Sequence, residues 1–309
     1  MSPNSFVDPE LLRRIQALEL KAREVAEGVL LGIHHAPDRG RSIEFAEHKE
    51  YSPGDDLRRI DWKVFAKSDR LYIKEYEDDT NITSLVLLDG SASMNYRGGH
   101  SRDGIEAPRK LDYGRTLAAA LSYLLLTQSD SVGLGLIGRG LRGFLPPRAR
   151  QAHFHEIVAR LAALETEKGT DIGGALADAA SLVKGRALVI IISDLLDDPG
   201  PMLKALRLLR HRRHEPVIFH VLDPDEIEFP FERLSFFKDM EGAARLLVEP
   251  RVIRDEYRRH FSRFLAEVRD ECAGHGIDYR LALTTEPPAL LLTSWLASRA
   301  AAQGARGGR

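Results

Sequence analysis

Two continuous apolar runs, each ending in an aspartate, constrain the fold of this chain more than any other feature. Ser84–Asp89 reads SLVLLD and Ala187–Asp194 reads ALVIIISD. Neither run alternates apolar with polar residues, which is typical of strands buried on both faces of a parallel sheet. Ligands of such open sheets bind outside the carboxyl ends of the strands. The two runs therefore predict a sheet that carries Asp89 and Asp194 at its ligand-binding edge.

Helices and further strands alternate along the rest of the chain. The apolar spacing predicts helices over Lys110–Thr127, Ala152–Leu164, Ile172–Val183, Met202–Arg212, Arg254–Gly274 and Pro288–Ala300. Further strands are predicted over Ser131–Ile137, Gly143–Leu145, Val217–Asp223, Ala244–Val248 and Tyr279–Leu283. This alternation is typical of a doubly wound α/β fold, a mainly parallel sheet with helices on both faces. We place that domain at residues 84–302 and a disordered tail at residues 303–309.

The first 83 residues follow a different pattern. Asp8 suits the N-cap of a helix whose apolar residues recur at helical spacing until Gly28 or Gly32. A polar, turn-rich stretch comes next, and Arg70–Tyr76 alternates like a half-buried strand. We therefore predict an N-terminal helix and β-hairpin extension over residues 1–83.

The net charge, the apolar runs and the cysteine count limit the kinds of partner and cell compartment to be expected. The formal net charge is -2 and the pI is about 6.6, so no long-range attraction to nucleic acid or to an anionic membrane is expected. The longest apolar runs are strand-sized and far short of the roughly 20 residues that cross a bilayer. Cys272 is the single cysteine, which fits a reducing compartment. We expect a cytoplasmic protein without a membrane span.

The residues that carry chemistry follow the first buried run. Asp89 is followed by two hydroxyls two positions apart, Ser91 and Ser93, and Thr170 offers a third in a loop before a helix. Together with Asp194 they supply only oxygen atoms, which suit a hard cation such as Mg²⁺, with Mn²⁺ as the alternative. The sequence therefore predicts a divalent metal site.

These residues resemble a known pattern. The DGSAS segment that begins at Asp89 matches the DxSxS motif of von Willebrand factor A domains, GTDIGGAL around Thr170 resembles their threonine loop, and ISD ending at Asp194 resembles their later strand-end aspartate. The resemblance implies a metal-ion-dependent adhesion site in which Ser91, Ser93 and Thr170 contact the ion. It also implies that both aspartates act directly or through water, and that an acidic side chain of a protein partner completes the shell.

The region upstream sharpens the resemblance. YSPGDDLRRIDWK at Tyr51–Lys63, followed by LYIKEYE at Leu71–Glu77, is similar to a motif of the bacterial domain of unknown function family 58. In that family the motif precedes a von Willebrand factor A-like domain. Its members are often encoded beside MoxR-type AAA+ ATPases, which implies such an ATPase as a candidate partner. The expected function is a metal-dependent protein-binding module that is not an enzyme.

Two other functions remain open. A metal-dependent phosphohydrolase could use Asp89 as its nucleophile, but haloacid-dehalogenase-like enzymes have a second carboxylate where this chain has Ser91. No histidine adjoins the motif in sequence to serve as a general base. The other alternative is a purely structural domain whose metal site stays empty.

Two motifs have simpler explanations. Gly138–Gly143 matches GxGxxG, but a dinucleotide site needs a helix directly afterwards. Here Phe144–Pro147 follows, which predicts a short strand and a turn. Asp171 is predicted to cap the helix that begins at Ile172.

Overall fold

The computed structural model describes most of the chain in two compact units. The described residues are 8–34, 48–50, 72–74, 82–99, 101–102, 105–242 and 244–307. The larger unit combines residues 1–33 with residues 82–309, and the smaller one comprises residues 34–81.

A six-stranded sheet forms the centre of the larger unit. Its strands are β3 (Thr83–Asp89), β6 (Ser131–Ile137), β7 (Leu141–Arg148), β8 (Leu188–Ser193), β9 (Glu215–Leu222) and β12 (Asp278–Leu283). They lie in the order β12-β9-β8-β3-β6-β7, and every neighbouring pair is parallel except β6 and β7. The mainly parallel α/β sheet that the apolar runs predict is confirmed.

The strand order reverses direction at the middle of this sheet. From β3 the chain moves outward through β6 to the edge strand β7, then returns to β8 on the other side of β3. β3 and β8 are paired in register, with Leu88 opposite Ile192. The reversal lies between two adjacent parallel strands, which is where open α/β sheets form a ligand-binding crevice.

Eight α-helices accompany the strands in the described ranges. They are α1 (Pro9–His34), α2 (Lys110–Thr127), α3 (Ala152–Ala163), α4 (Ile172–Leu182), α5 (Pro199–His211), α6 (Pro224–Glu228), α7 (Pro250–Gly274) and α8 (Pro288–Gly307). A 3₁₀ turn spans Ser93–Asn95, and the short strands β4 (Ser101–Arg102) and β5 (Ile105–Glu106) pair antiparallel. Within those ranges, none of the helices combines the length and apolar character that a bilayer crossing requires.

Two hydrophobic cores cover the two faces of the sheet. Along β3, Val86 and Leu88 point into a core with α1, α2, α3 and α8, whereas Leu85 and Leu87 point into a core with α4, α5 and α7. Alternate residues of a strand face opposite sides, so both faces must be apolar for both cores to form. This explains why the run in β3 shows no alternation of apolar and polar residues.

The smaller unit contains one described pair of strands. β1 (His48–Glu50) and β2 (Tyr72–Lys74) pair antiparallel, and β2 falls within the strand predicted over Arg70–Tyr76, whose other residues lie outside the described ranges. The Tyr51–Lys63 motif lies outside the described residues.

The first helix is longer than the glycines in its sequence suggest. Asp8 caps it as predicted, because its Oδ1 accepts a hydrogen bond from the Glu10 N–H at 2.9 Å. The prediction that Gly28 or Gly32 ends the helix is wrong, since it continues to His34. A Cβ on Gly28 would lie 3.3 Å from the Cβ of Ala289 in α8. The glycines therefore permit a close approach of two helices.

Three further elements differ from their predicted form. β7 has eight residues where three were predicted. A strand pair, β10 (Ser235–Lys238) with β11 (Arg245–Val248), forms a hairpin of which only the second strand was predicted. α8 continues past Ala300 to Gly307, into the segment for which disorder was predicted.

Candidate metal centre

Two aspartates lie side by side where the strand order reverses. Asp89 is the last residue of β3, and Asp194 directly follows β8, so the parallel pairing of these strands places both at the same edge of the sheet. Both side chains are buried. The prediction that Asp89 and Asp194 come together at the carboxyl edge is confirmed by this pairing.

The loop after β3 folds its two serines over Asp89. The backbone N–H of Ser91 donates to Oδ1 of Asp89 at 2.8 Å, and the 3₁₀ turn then begins at Ser93. The two seryl Oγ atoms lie 2.9 Å apart. Neighbouring ligands of an octahedral Mg²⁺ with bonds of about 2.05 Å are separated by about 2.9 Å, that bond length times the square root of two. The two hydroxyls share a hydrogen bond of this length, so their spacing is compatible with two adjacent positions of such an ion but does not require one.

The threonine loop lies against the serine loop. The N–H of Glu167 donates to the carbonyl of Gly90 at 2.8 Å, and Glu167 forms an isolated parallel bridge with Ser91. Thr170 follows three residues later and is partly exposed. Asp171 caps α4 as predicted, because its Oδ1 accepts from the N–H of Gly174 at 2.7 Å.

Asp89 is a fully buried carboxylate. Burial raises its pKa above the usual value, and the charge of Asp194 raises it further. Hydrogen bonds from the Ser193 hydroxyl and the Ser91 N–H offset only part of this effect. Among the described residues, no Lys or Arg nitrogen lies within ion-pair distance of Asp89. A buried carboxylate in this situation gains from a nearby cation.

Asp194 is held by a buried lysine that the sequence did not indicate. Nζ of Lys110, in the first turn of α2, lies 2.7 Å from Oδ2 of Asp194 and 2.6 Å from Oε1 of Glu226. Burial alone would lower the pKa of Lys110, but the two carboxylates raise it above its usual value. Burial would likewise raise the pKa of Asp194, yet Lys110 brings it below the normal range. Ser93 also donates its hydroxyl to Asp194.

Sequence reasoning missed three charged residues of this site for different reasons. Lys110 resembles any exposed lysine at a helix start, so its sequence carries no signal. Glu226 belongs to a capping box with Asp223 at the start of α6, a D-x-x-E pattern that could have been recognised. Glu241 contacts the site from a distant hairpin, through the N–H groups of Ser93 and Gly169.

A histidine lies beneath the site with both ring nitrogens engaged. Nε2 of His220 is 2.8 Å from the backbone oxygen of Asp194, and Nδ1 is 2.7 Å from the Tyr279 hydroxyl. Since a carbonyl can only accept, Nε2 carries the proton and Nδ1 accepts from Tyr279. Burial lowers the pKa of His220 to about 4. The ring is therefore neutral at pH 7 and is held as a structural group.

A cavity of about 390 Å³ opens beside Ser93. Its lining combines aromatic side chains, among them Tyr96, Phe229 and Phe237, with acidic ones that include Glu226 and Glu241.

The donor set fits a metal only if hydroxyl oxygens take part. The part of the chain that the structure describes holds no group of three or more His, Cys, Asp or Glu side chains arranged to hold a metal ion. The available donors are the hydroxyls of Ser91, Ser93 and Thr170 with the carboxylates of Asp89 and Asp194. These are all hard oxygen ligands, which select Mg²⁺ or Mn²⁺ over softer metals. The structure brings the serines and aspartates into contact and sets the threonine loop beside them.

Comparison with known proteins finds relatives whose functions are not described. Uncharacterized proteins of Mycobacterium bovis and Mycobacterium tuberculosis are 28% identical to this chain over 276 residues, which cover 87% of the chain and 83% of each relative. Among solved structures, the conserved hypothetical protein BatB from Bacteroides thetaiotaomicron matches with 17% identity and a TM-score of 0.47, covering 71% of this chain and 98% of that one. An aerotolerance-related membrane protein from Bacteroides fragilis matches with 18% identity and a TM-score of 0.44, over 68% and 96%.

A family model matches most of the chain. The match spans residues 47–270, from the smaller unit through β3, both aspartates and the β10–β11 hairpin into α7. It therefore includes every residue of the candidate metal centre. The chain belongs to the family described as protein of unknown function DUF58.

Proposed function

We propose that this chain is a von Willebrand factor A-like protein-binding module that uses a divalent cation, Mg²⁺ or Mn²⁺, to bind a protein partner in the cytoplasm. The observation that carries the proposal is the pair of seryl hydroxyls, 2.9 Å apart, set against two buried aspartates. Ser91, Ser93 and Thr170 would hold the ion, and Asp89 and Asp194 would balance its charge. When bound, the ion offers a positive site for a partner's carboxylate.

The charges around the site support a cation. Asp89, Asp194, Glu226 and Glu241 approach the same region. Among the described residues, Lys110 pairs with two of these carboxylates, and Lys168 contacts the carbonyl next to Glu241. Burial without compensation disfavours charged carboxylates. A divalent ion would offset the negative charge that remains after these two lysines are counted.

The arrangement favours binding over hydrolysis. Both carboxylate oxygens of Asp89 accept hydrogen bonds, one from Ser91 and one from Ser193, and the side chain is inaccessible to solvent. A nucleophile must reach its substrate, and a general base must have a lone pair available. Asp89 is buried and His220 is engaged at both nitrogens. Turnover of a generic phosphoester that is abolished in Asp89→Asn would instead support the phosphohydrolase.

Thermal unfolding tests the metal site directly. We would compare the wild type with Ser91→Ala/Ser93→Ala, first in EDTA and then with increasing Mg²⁺. At about a hundred times its dissociation constant, a ligand that binds only the folded state adds about 2.7 kcal/mol to the free energy of unfolding. We expect this gain in the wild type and its loss in the double variant. A matched control is Ser181→Ala/Ser294→Ala, which removes two exposed helix hydroxyls; it should keep the Mg²⁺ response.

The partner is proposed on family resemblance alone. A MoxR-type AAA+ ATPase is the candidate, and a pull-down with purified ATPase in Mg²⁺ or in EDTA tests it. Retention in Mg²⁺ that is lost both in EDTA and in Ser91→Ala/Ser93→Ala would support this partner. Equal retention under all conditions would contradict a metal-mediated contact.

A further inference from the structure

The hairpin β10–β11 presents an acidic residue at its tip. Its turn is closed by the N–H of Asp239, which donates to the carbonyl of Ala244 at 2.9 Å. Oδ1 of Asp239 accepts from the N–H of Glu241 at 2.9 Å. The turn therefore fixes the backbone at Glu241.

The side chain of Glu241 bridges the two loops of the candidate metal centre. Its Oε1 accepts from the N–H of Ser93 at 2.8 Å, and its Oε2 accepts from the N–H of Gly169 at 3.1 Å. Nζ of Lys168 donates to the carbonyl of Gly242 at 2.7 Å and fastens the same tip. One carboxylate thus contacts the serine loop and the threonine loop at once.

This contact places a carboxylate beside the residues that would hold the ion. Ser93 is itself a proposed ligand, and Gly169 immediately precedes Thr170. A further acidic group near Asp89, Asp194 and Glu226 adds repulsion, which a cation at the site would convert into attraction. The position of Glu241 is therefore more favourable with a divalent ion than without one.

Away from its tip, the hairpin is partly exposed and is attached through Phe237, whose ring contacts those of Phe229 and Phe231. Phe236, Leu246 and Leu247 are 73%, 66% and 51% exposed, and among the described strands β10 and β11 pair with each other alone. Segments with few buried apolar contacts open at a lower free energy than the core. Separation of the hairpin tip from the site would break the contacts of Glu241 and Lys168 but no hydrogen bond of the six-stranded sheet.

We propose that Glu241 is a built-in competitor for the metal site: its carboxylate occupies the place of a partner's acidic side chain, and the hairpin must leave before such a partner binds. The inference rests on the proposed function, because it assigns the regulation of the same site. It also states the chemistry of the partner, a carboxylate on a segment that can replace the hairpin tip.

Hydrogen exchange of the metal-free protein tests the contact. Glu241→Ala removes the acceptor of two N–H groups, and hydrogen bonds to a charged group are strong enough that their loss should speed exchange at Ser93 and Gly169 about tenfold. Glu241→Gln, which keeps one acceptor oxygen, should have a smaller effect. The control is Glu232→Ala. It removes an exposed carboxylate that lies in the segment before the hairpin and pairs with Arg251. Unchanged exchange in Glu241→Ala would overturn the inference.

Bound Mn²⁺ tests the competition. Water-proton relaxation reports how many exchangeable waters the ion carries, and Glu241→Ala should show about one more than the wild type. Acetate should then displace that water in Glu241→Ala and have little effect on the wild type. Equal hydration and equal response to acetate would overturn the inference while leaving the metal site standing. Failure of Mn²⁺ to bind either protein would instead overturn the proposed function, and this inference with it.

Discussion

Nζ of Lys110 lies 2.7 Å from Oδ2 of Asp194, and neither side chain is accessible to solvent. The same ammonium lies 2.6 Å from Glu226, which is only slightly exposed. One cation therefore joins α2 to the end of β8 and to α6. Its attraction to the two carboxylates outweighs the effect of burial on its own pKa and on that of Asp194, whereas burial still raises the pKa of Glu226.

Replacement of this lysine should destabilise the fold strongly. Lys110→Met leaves two carboxylates without their partner, and breaking a buried ion pair in this way costs about 3–5 kcal/mol. Chemical denaturation measures the change. The control Lys204→Met alters an exposed lysine of α5 and should change stability by less than about 0.5 kcal/mol. Partial recovery in Lys110→Met/Asp194→Asn/Glu226→Gln would confirm that the uncompensated charges cause the loss, and no recovery would contradict it.

Variants of Thr170 and of its neighbour Asp171 should affect different properties, Mg²⁺ binding in the first case and the stability of the fold in the second. Thr170→Val removes a proposed metal ligand on a partly exposed loop, so we expect a native-like unfolding temperature in EDTA and a reduced response to Mg²⁺. Asp171→Ala removes the cap of α4 and should cost about 1 kcal/mol while the Mg²⁺ response persists. Thermal unfolding with and without Mg²⁺ measures both. If the two variants exchange these outcomes, the assignment of the two residues is wrong.

Close packing between α4 and α5 predicts a penalty for a single methyl group. A Cβ on Gly173 would lie 2.7 Å from the Cβ of Pro201 and 3.1 Å from the backbone nitrogen of Met202. Gly173→Ala should therefore cost about 1–3 kcal/mol. Gly274 offers the opposite case at the end of α7, since a Cβ there meets nothing within 4 Å. Gly274→Ala should stabilise by up to about 1 kcal/mol, and equal effects of the two changes on the denaturation midpoint would refute the packing argument.

The single cysteine should be unreactive in the folded protein. Cys272 is fully buried in α7, and burial, helped by Glu271, raises the pKa of its thiol to about 11. At pH 8 only about one thiol in a thousand is then ionised, and the thiolate is the nucleophile. Alkylation by iodoacetamide, followed by mass spectrometry, should be slow at pH 8 and rapid in guanidinium chloride. Rapid modification of the native protein would contradict this environment.

The meeting of Asp89 with Asp194 could be predicted because both end apolar parallel strands, and such strands end at one edge of a sheet. The serines follow Asp89 locally, so their position follows from the same argument. Lys110 could not be predicted, since lysine is seldom fully buried. Glu241 could not be predicted either, because it lies 148 residues from its contact Ser93 and nothing local in either sequence encodes that contact.

The limits of the secondary-structure prediction have similar causes. Gly28 and Gly32 were interpreted as a helix end, but tertiary packing against α8 overrides their low helix propensity. β10 reads SFFK, in which apolar and polar residues do not alternate, so the period of two that identifies a half-buried strand is missing.

The edge strand β7 hinders the addition of a further strand to the sheet. Pro146 and Pro147 lie within it, and proline has no N–H to donate to a further strand. Register shifts where β7 pairs with β6 interrupt the regular ladder as well. An edge interrupted in this way is a poor template for adding the strand of another molecule. The β7 edge of the sheet is thereby protected against edge-to-edge aggregation. This protection does not depend on whether an ion is bound at the carboxyl ends of β3 and β8.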